Sequence, residues 1–321
     1  MRPRRRLHDG PPSDHFDGRR FFNPSGPSHP PAAASLRWLA TRRRRPWPAR
    51  VPVEPTVPPR SVDDLRVTFV GHATVLVQAP GLAILLDPVW SERVGPWGAG
   101  PRRRHTPGVP LEDLPPIDLV LVTHAHWDHM DAPTLAALRE RHDPRVVAPL
   151  GCDAILRAEV PGLRVEALDW GEARNGVAAI PCRHWSSRWG WDRDLSLWAS
   201  FLVETGAGPV FLMGDTGFDA GRPYALPVRP RLAAVPIGAY APRWHMEHEH
   251  QSPDDAVRGV LACGAAHAVA THWGCFRMTD EGRDDPPRRL AEARARHGMP
   301  DARFRALAPG EAWDVPPAPS G

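Results

Sequence analysis

Between Thr123 and His129 the chain reads Thr-His-Ala-His-Trp-Asp-His, which places His124, His126, Asp128 and His129 within six positions. The run follows directly on Leu119-Val120-Leu121-Val122, an apolar stretch that reads as a buried strand. The polar side chains therefore emerge where a strand ends and a loop begins. Imidazole and carboxylate together suit a borderline divalent ion such as zinc. Six residues do not easily wrap one ion with four ligands and still leave room for substrate, but they can begin two neighbouring sites. His-x-His-x-Asp-His therefore predicts the core of a two-metal hydrolytic centre. The chain has 16 His in 321 residues, so pairs arise by accident; three in six positions behind a strand, with Asp at this offset, arise far less often.

Two ions need further ligands from elsewhere in the chain. Three more apolar runs end on residues of ligand type. Val177 to Cys182 leads to Arg183-His184-Trp185, Pro209 to Gly214 leads to Asp215, and His267 to Thr271 leads to His272-Trp273-Gly274. Each is weak alone, because a single His beside a strand is more often a hydrogen-bonded structural residue.

Taken in order, these residues resemble the signature of the metallo-β-lactamase superfamily. A finer resemblance is to the branch that holds the N-acylphosphatidylethanolamine-hydrolysing phospholipase D and its bacterial relatives. It is carried by Gly71-His72-Ala73-Thr74, Leu86-Asp87-Pro88, Gly214-Asp215-Thr216-Gly217, Ile237-Gly238-Ala239-Tyr240, Pro242-Arg243-Trp244 and His272-Trp273-Gly274, and runs from about residue 14 to about 300. The resemblance implies one metal held by His124, His126 and His184. It implies a second held by Asp128, His129 and His272, with Asp215 bridging both. Two cations lower the pKa of a shared water, so that hydroxide exists near neutral pH and attacks a phosphorus or carbonyl centre. Asp128 and Asp215 are the residues expected to take part most directly. No Ser or Cys nucleophile is required, and no Gly-x-Ser-x-Gly elbow is present.

Asp87 and His72 are expected to orient the ligands from behind. The competing readings are an Asp that merely opens a turn before Pro88 and a buried structural His. His250, Trp127 and Tyr240 are expected to contact substrate, His250 and Tyr240 through the resemblance and Trp127 as an aromatic wall beside the metals; simple packing is the other reading of Tyr240. The dense run His245, Glu247, His248, Glu249 reads as a solvated loop more readily than as a third metal site. Arg102, Arg103 and Arg104 either receive a phosphate or form a solvated loop.

Every one of the 40 basic residues is Arg, and the net charge of +3 hides an asymmetry. Residues 1–60 hold 13 Arg against 4 acidic residues, and the remainder 27 against 33. Three parts are expected: a basic Pro/Arg-rich extension over 1–60, a catalytic domain over 61–315 and a tail over 316–321. Most of the extension should be irregular, with a short helix over 32–40. Its Trp38, Arg42 to Arg45 and Trp47 lie on an anionic membrane, bind nucleic acid nonspecifically or wrap the domain as a belt. No secretory signal and no span of about 20 apolar residues is visible, which predicts a cytoplasmic protein with at most peripheral membrane contact. Cys152, Cys182, Cys263 and Cys275 show no Cys-x-x-Cys spacing and should be reduced and buried.

Strands are expected near 67–70, 74–78, 84–86, 119–122, 146–148, 177–182, 195–204, 209–213 and 232–237. Helices are expected after Asp131, which should cap the first of them, over 154–158, from Ser252 to about Leu261, and over 287–296. Strands followed by helices, twice over, suit an α/β protein built as a four-layer αββα sandwich, which is also the fold the resemblance implies.

The expected function is a dinuclear hydrolase holding two divalent ions, zinc first, with Mn2+ or Fe2+ as alternatives. It should act on a phospholipid-like or small phosphodiester. A lactonase or other carboxylic ester or amide hydrolase is the second reading, and a noncatalytic metal-binding module the third. The acidic body argues against a specific nucleic-acid partner.

Overall fold

The computed structural model describes residues 6–27, 30–219 and 221–319. The leading basic run through Arg5 and the last two residues lie outside that range. In chain order the elements are α1 (Ala32–Thr41), β1 (Arg66–Gly71), β2 (Thr74–Ala79), β3 (Leu82–Leu86), β4 (Leu119–Leu121), α2 (Ala132–His142), β5 (Arg145–Pro149), α3 (Cys152–Glu159), β6 (Val165–Leu168), β7 (Ala173–Arg174) and β8 (Val177–Ile180). There follow β9 (Ser200–Val203), β10 (Val210–Leu212), β11 (Leu232–Pro236), α4 (Arg243–Met246), α5 (Pro253–Cys263), β12 (His267–Thr271), α6 (Asp285–Arg296), β13 (Phe304–Arg305) and β14 (Ala312–Asp314).

Alternation along the strands explains the layering. Val67, Val77, Ile84, Leu86, Leu119 and Leu121 point to one face of the first sheet and meet Val210, Leu212, Leu232 and Val269 of the second. Their neighbours Leu76, Leu85, Val120 and Val146 point the other way, onto Leu135 and Leu138 of α2 and Leu156 of α3. Phe211, Ala233, Val235 and Ala268 likewise face Val257 and Val260 of α5 and Leu290 of α6. A strand buried on both faces carries a continuous apolar run, and two such sheets must pack on each other and on helices. The result is the αββα sandwich. The first sheet has the order β14-β1-β2-β3-β4-β5-β6, and the second β13-β12-β11-β10-β9-β8-β7. β14 pairs antiparallel with β1, so the end of the chain closes the edge of the first sheet.

Most expected elements are present, with three corrections. Only Ser200–Val203 of the apolar stretch 195–204 is a strand. Leu197 and Trp198 instead pack with Phe16 and Phe21 in a separate cluster, and the Leu197 amide donates to the Leu150 carbonyl. Asp131 precedes α2 but makes no side-chain cap. Its carboxylate accepts from the amides of Trp90 and Ser91 and from both the Ser91 and Thr134 hydroxyls, which ties the loop after β3 to the end of the metal-type motif. Third, the expected set lacks β6 and the short strands β7, β13 and β14, each four residues long or fewer and so with little room for a pattern. Ser252 does cap α5, forming a capping box with Asp255.

Described residues of the first sixty make contacts along the body. His15 contacts Asp169 at 2.7 Å, Trp38 Nε1 donates to Asp280, Trp47 Nε1 to the Glu281 carbonyl, and Thr56 Oγ1 to the Gly310 carbonyl. Among the described residues no helix is long and apolar enough to cross a membrane. All four cysteines are free and buried.

Leu121 is fully buried between the sheets, one turn of chain before the His/Asp loop. Leu121→Ala is expected to cost about 2–5 kcal/mol in urea unfolding, the usual range for opening a cavity in a packed core. A cost below about 1 kcal/mol would show that the inter-sheet core is not close-packed there.

Candidate metal centre

The polar cluster forms where strands of both sheets end at one edge of the sandwich. β4 delivers Thr123 through His129, β8 leads to His184, β10 to Asp215 and β12 to His272. Loops at strand ends suit this role, because the backbone there is free of the ladder while the strands fix its position.

The structure brings all seven sequence-derived candidates together. His124 Nε2 lies 2.8 Å from His126 Nδ1, and His184 Nε2 lies 3.3 Å from the same atom. His129 Nε2 and His272 Nε2 lie 3.2 and 3.1 Å from Asp215 Oδ2, and each lies 3.5 Å from Asp128 Oδ2. His184 Nε2 is 3.9 Å from Asp215 Oδ2, so this carboxylate stands between the two groups. Among the described residues, sets able to hold a metal ion are His124/His126/His184, His72/Asp128/His129/His272, His124/His129/Asp215 and Asp215/His250/His272.

The far side of several rings is already engaged. His184 Nδ1 donates to the Glu249 carbonyl, which leaves Nε2 as the inward atom. His129 Nδ1 donates to Asp87 Oδ2 at 2.6 Å, and Thr123 Oγ1 lies 2.9 Å from His124 Nδ1. Asp87 also accepts from the Thr123 amide and hydroxyl, at 2.8 and 2.7 Å. Its buried carboxylate therefore fixes the start of the loop and orients one imidazole. His72 Nε2 lies 2.8 Å from Asp128 Oδ2 and orients that carboxylate.

Electrostatics suit a divalent cation. Burial, reinforced by neighbouring imidazoles, pushes His124 well below its ordinary pKa. Burial, opposed in part by Asp128 or Asp215, takes His126 to about 4 and His184 and His250 to about 3. These rings are neutral at pH 7, with a lone pair to offer. Burial also opposes charge on His129 and His272, but the adjacent carboxylates of Asp215 and Asp128 outweigh it and hold both rings above the usual value. Two buried carboxylates thus attract positive charge to one point, a need that a bound cation meets. Asp215 Oδ1 is buried without a hydrogen-bond partner, as expected of an atom that binds something other than protein.

Backbone strain is concentrated here. His72, Asp87, Ala239 and His272 all have φ between 39° and 60°, where non-glycine residues are rare. His272 donates its amide to the His72 carbonyl at 2.7 Å, which locks two of the four. Gly238 is required beside them, since a Cβ there would lie 1.9 Å from the His272 carbonyl oxygen.

Over the cluster lies a cavity of about 470 Å³. His250 and Trp127 line it, and His250 Nδ1 is 3.6 Å from Asp215 Oδ2. Tyr240 does not: it lines a different cavity, with Arg45 and Asp285. The Glu281 carboxylate accepts from the amides of Ala239 and Ala241 on either side of it, which leaves Ala239 on the cluster side and Tyr240 away from it. Arg102 to Arg104 also lie outside the cluster cavity. His245 and Glu249 line it, whereas His248 turns away to contact Arg183.

Sequence reasoning missed Thr123 as the partner of Asp87, although it stands inside the motif. It also missed Trp185, Arg193 and the pair Ser35 and Trp38 of α1, all of which line the cavity. Arg193 sits in an irregular loop and carries no local signal. Trp38 reaches the site from far away in the chain, and stacks on His245 at 4.7 Å between ring centres.

Residues 83–273 match the Beta-lactamase superfamily domain model. The chain is 34% identical over 275 residues to N-acyl-phosphatidylethanolamine-hydrolyzing phospholipase D 1 of Caenorhabditis elegans, covering 79% of this chain and 77% of that protein. It is 36% identical over 247 residues to an uncharacterized Mycobacterium tuberculosis protein, covering 71% of this chain and 64% of that one. The crystal structure of isothiocyanate hydrolase from Delia radicum gut bacteria superposes with a TM-score of 0.61 at 21% identity, over 78% of this chain and 99% of that one. The last of these speaks to the fold alone. A two-sheet sandwich with a buried His/Asp cluster at its edge, matched by these relatives, makes the chain a metal-dependent hydrolase that belongs to the metallo-β-lactamase superfamily, in the branch of the N-acyl-phosphatidylethanolamine-hydrolysing phospholipase D relatives.

Proposed function

We propose that the protein is a dinuclear metal-dependent phosphodiesterase acting on a phospholipid-like or other small phosphodiester. One observation carries the reading: two groups of inward donor atoms meet at Asp215, beneath a cavity whose wall includes the guanidinium of Arg193. His124, His126 and His184 would hold one ion, Asp128, His129 and His272 the other, and Asp215 both. The imidazole-rich set favours zinc, with Mn2+ or Fe2+ as alternatives. When bound, such ions lower the pKa of a water and offset charge on the reacting oxygens.

The chain's own residues do the rest. Asp87 and His72 hold the rings and carboxylate in place. Arg193 stacks on Trp185 at 4.4 Å and is the guanidinium of the cavity wall, suited to a phosphate oxygen. Trp38, Trp127, Trp185, Met246 and Met278 exclude water around it and offer apolar surface to a lipid-like group. His250, beside Asp215, faces the bound substrate. The similarity to phospholipase D relatives supports a phospholipid-type substrate. The apolar walls favour a carboxylic ester or lactone as the second reading.

Elemental analysis of the purified protein should find about two metals per chain. Bis(p-nitrophenyl) phosphate should be hydrolysed and Asp215→Ala should abolish turnover. Two metals without phosphodiester cleavage would transfer the reading to lactones, and metal without hydrolysis of either class would favour a binding module. A protein that takes up no zinc or manganese would sink the ligand assignment.

Asp87→Asn keeps the shape but removes the charge that orients His129. Metal affinity, read by competition with a chromogenic chelator, is expected to fall about 10–100-fold. An unchanged affinity would make Asp87 a structural residue only.

Arg193→Ala should raise KM for an anionic phosphodiester about tenfold, the loss of one charge-assisted hydrogen bond, while leaving a neutral ester substrate unaffected. Equal effects on both substrates would assign Arg193 to the fold.

A further inference from the structure

A second cavity, of about 500 Å³, lies between residues 49–50 and 102–107 and shares no lining residue with the cavity over the metal cluster. We propose that it is an anion site that takes a phosphate group, separate from the hydrolytic centre.

The charge around it is one-sided. Arg50, Arg102, Arg103 and Arg104 line it, against a single carboxylate, Glu92. That carboxylate is occupied by Arg102, whose Nε and Nη2 both donate to its Oε1, at 2.8 and 2.5 Å. Arg103 is occupied as well. It is buried and donates to the carbonyls of Val89 and Ser91 and to Cys275 Sγ, so it forms the floor. Two guanidiniums remain. Arg50 is exposed and has no ion-pair partner among the described residues. Arg104 has one long contact, 3.5 Å to the Ala49 carbonyl, and its Nε is buried without a partner.

Behind Arg104 stand further cations. Arg277 lies close enough to Arg44 and Arg104 that burial and these two charges, opposed in part by Asp280, lower its pKa, and its Nε is likewise buried and unpartnered. Like charges held together in this way repel, and a bound polyanion relieves the repulsion. Guanidinium forks suit phosphate oxygens in particular.

His105 also lines the cavity, its Nδ1 donating to the Thr106 carbonyl at 2.7 Å. Trp90 provides an apolar wall, and the volume exceeds that of inorganic phosphate, leaving room for an esterified group. The phosphate could arrive on a soluble ester or on a lipid headgroup, since both present the same oxygens.

The test uses full-length, metal-loaded protein. Inorganic phosphate and pyrophosphate are titrated by calorimetry, and co-sedimentation is measured with phosphatidylcholine vesicles with and without phosphatidate. Binding is expected to survive Asp215→Ala, which disables the metal cluster, and to weaken roughly tenfold in Arg104→Ala and in Arg50→Ala. Arginine-dependent binding of the soluble anions points to a soluble phosphate ester. Arginine-dependent binding confined to phosphatidate vesicles points to a headgroup. If Arg104→Ala fails to fold, the exposed Arg50→Ala and Arg50→Glu carry the test alone. Absence of binding in both formats overturns the proposal. So does binding that Asp215→Ala abolishes and the arginine variants leave intact.

Discussion

The carboxylate of Asp87 sits with no solvent exposure at the end of β3 and accepts three hydrogen bonds, from the Thr123 amide, the Thr123 hydroxyl and His129 Nδ1. The bonds to Thr123 join the exit of β3 to the exit of β4. The bond from His129 turns that ring so that its other nitrogen faces Asp215. Burial pushes the Asp87 carboxyl upward in pKa, so its charge is tolerable only while these donors surround it. The residue occupies a left-handed backbone conformation, with φ of 39°, that packing must enforce. Loop position, ring orientation and local strain thus depend on one side chain that touches no substrate cavity.

The sandwich makes such a constraint affordable. The parallel strands β3, β4 and β5 in one sheet and β10, β11 and β12 in the other are aligned by their ladders and compressed by apolar residues on both faces. Their chain exits converge at one edge, where seven ligand-type side chains meet in a space too small for any two carboxylates to ignore each other. A rigid body can hold Asp128 and Asp215 close together, with His129 and His272 answering their charge. A looser scaffold would let them separate.

The extension over the first sixty residues has a similar double character. Phe16 and Phe21 pack as core, and Trp47 and Thr56 hydrogen-bond to distant loops. Trp38, in a helix with no buried residue, reaches over the cluster and stacks on His245. Basic composition alone suggested a membrane or a belt; the contacts seen are those of a segment packed on the body, with Ser35 and Trp38 lining the cavity. Arginines in its second half then approach Arg104 and Arg277, and this concentrates positive charge away from the metal cluster.

What the amino-acid sequence determined by itself was local. Continuous apolar runs announced most of the strands, and Ser252-Pro253 announced α5. The six-residue motif, with ligand-type residues after three other strands, announced a metal-binding edge. These signals are legible because each depends on residues close together in the chain. The tertiary structure decided what depends on distance. It turned Tyr240 away from the site through Glu281, and it placed Leu197 and Trp198 in a cluster with Phe16 and Phe21 instead of in a strand. It set Arg102 to Arg104 around a different cavity and brought Arg193 and Trp38 to the one over the cluster. Such placements arise from packing between segments up to a few hundred residues apart, and no spacing along the chain encodes them.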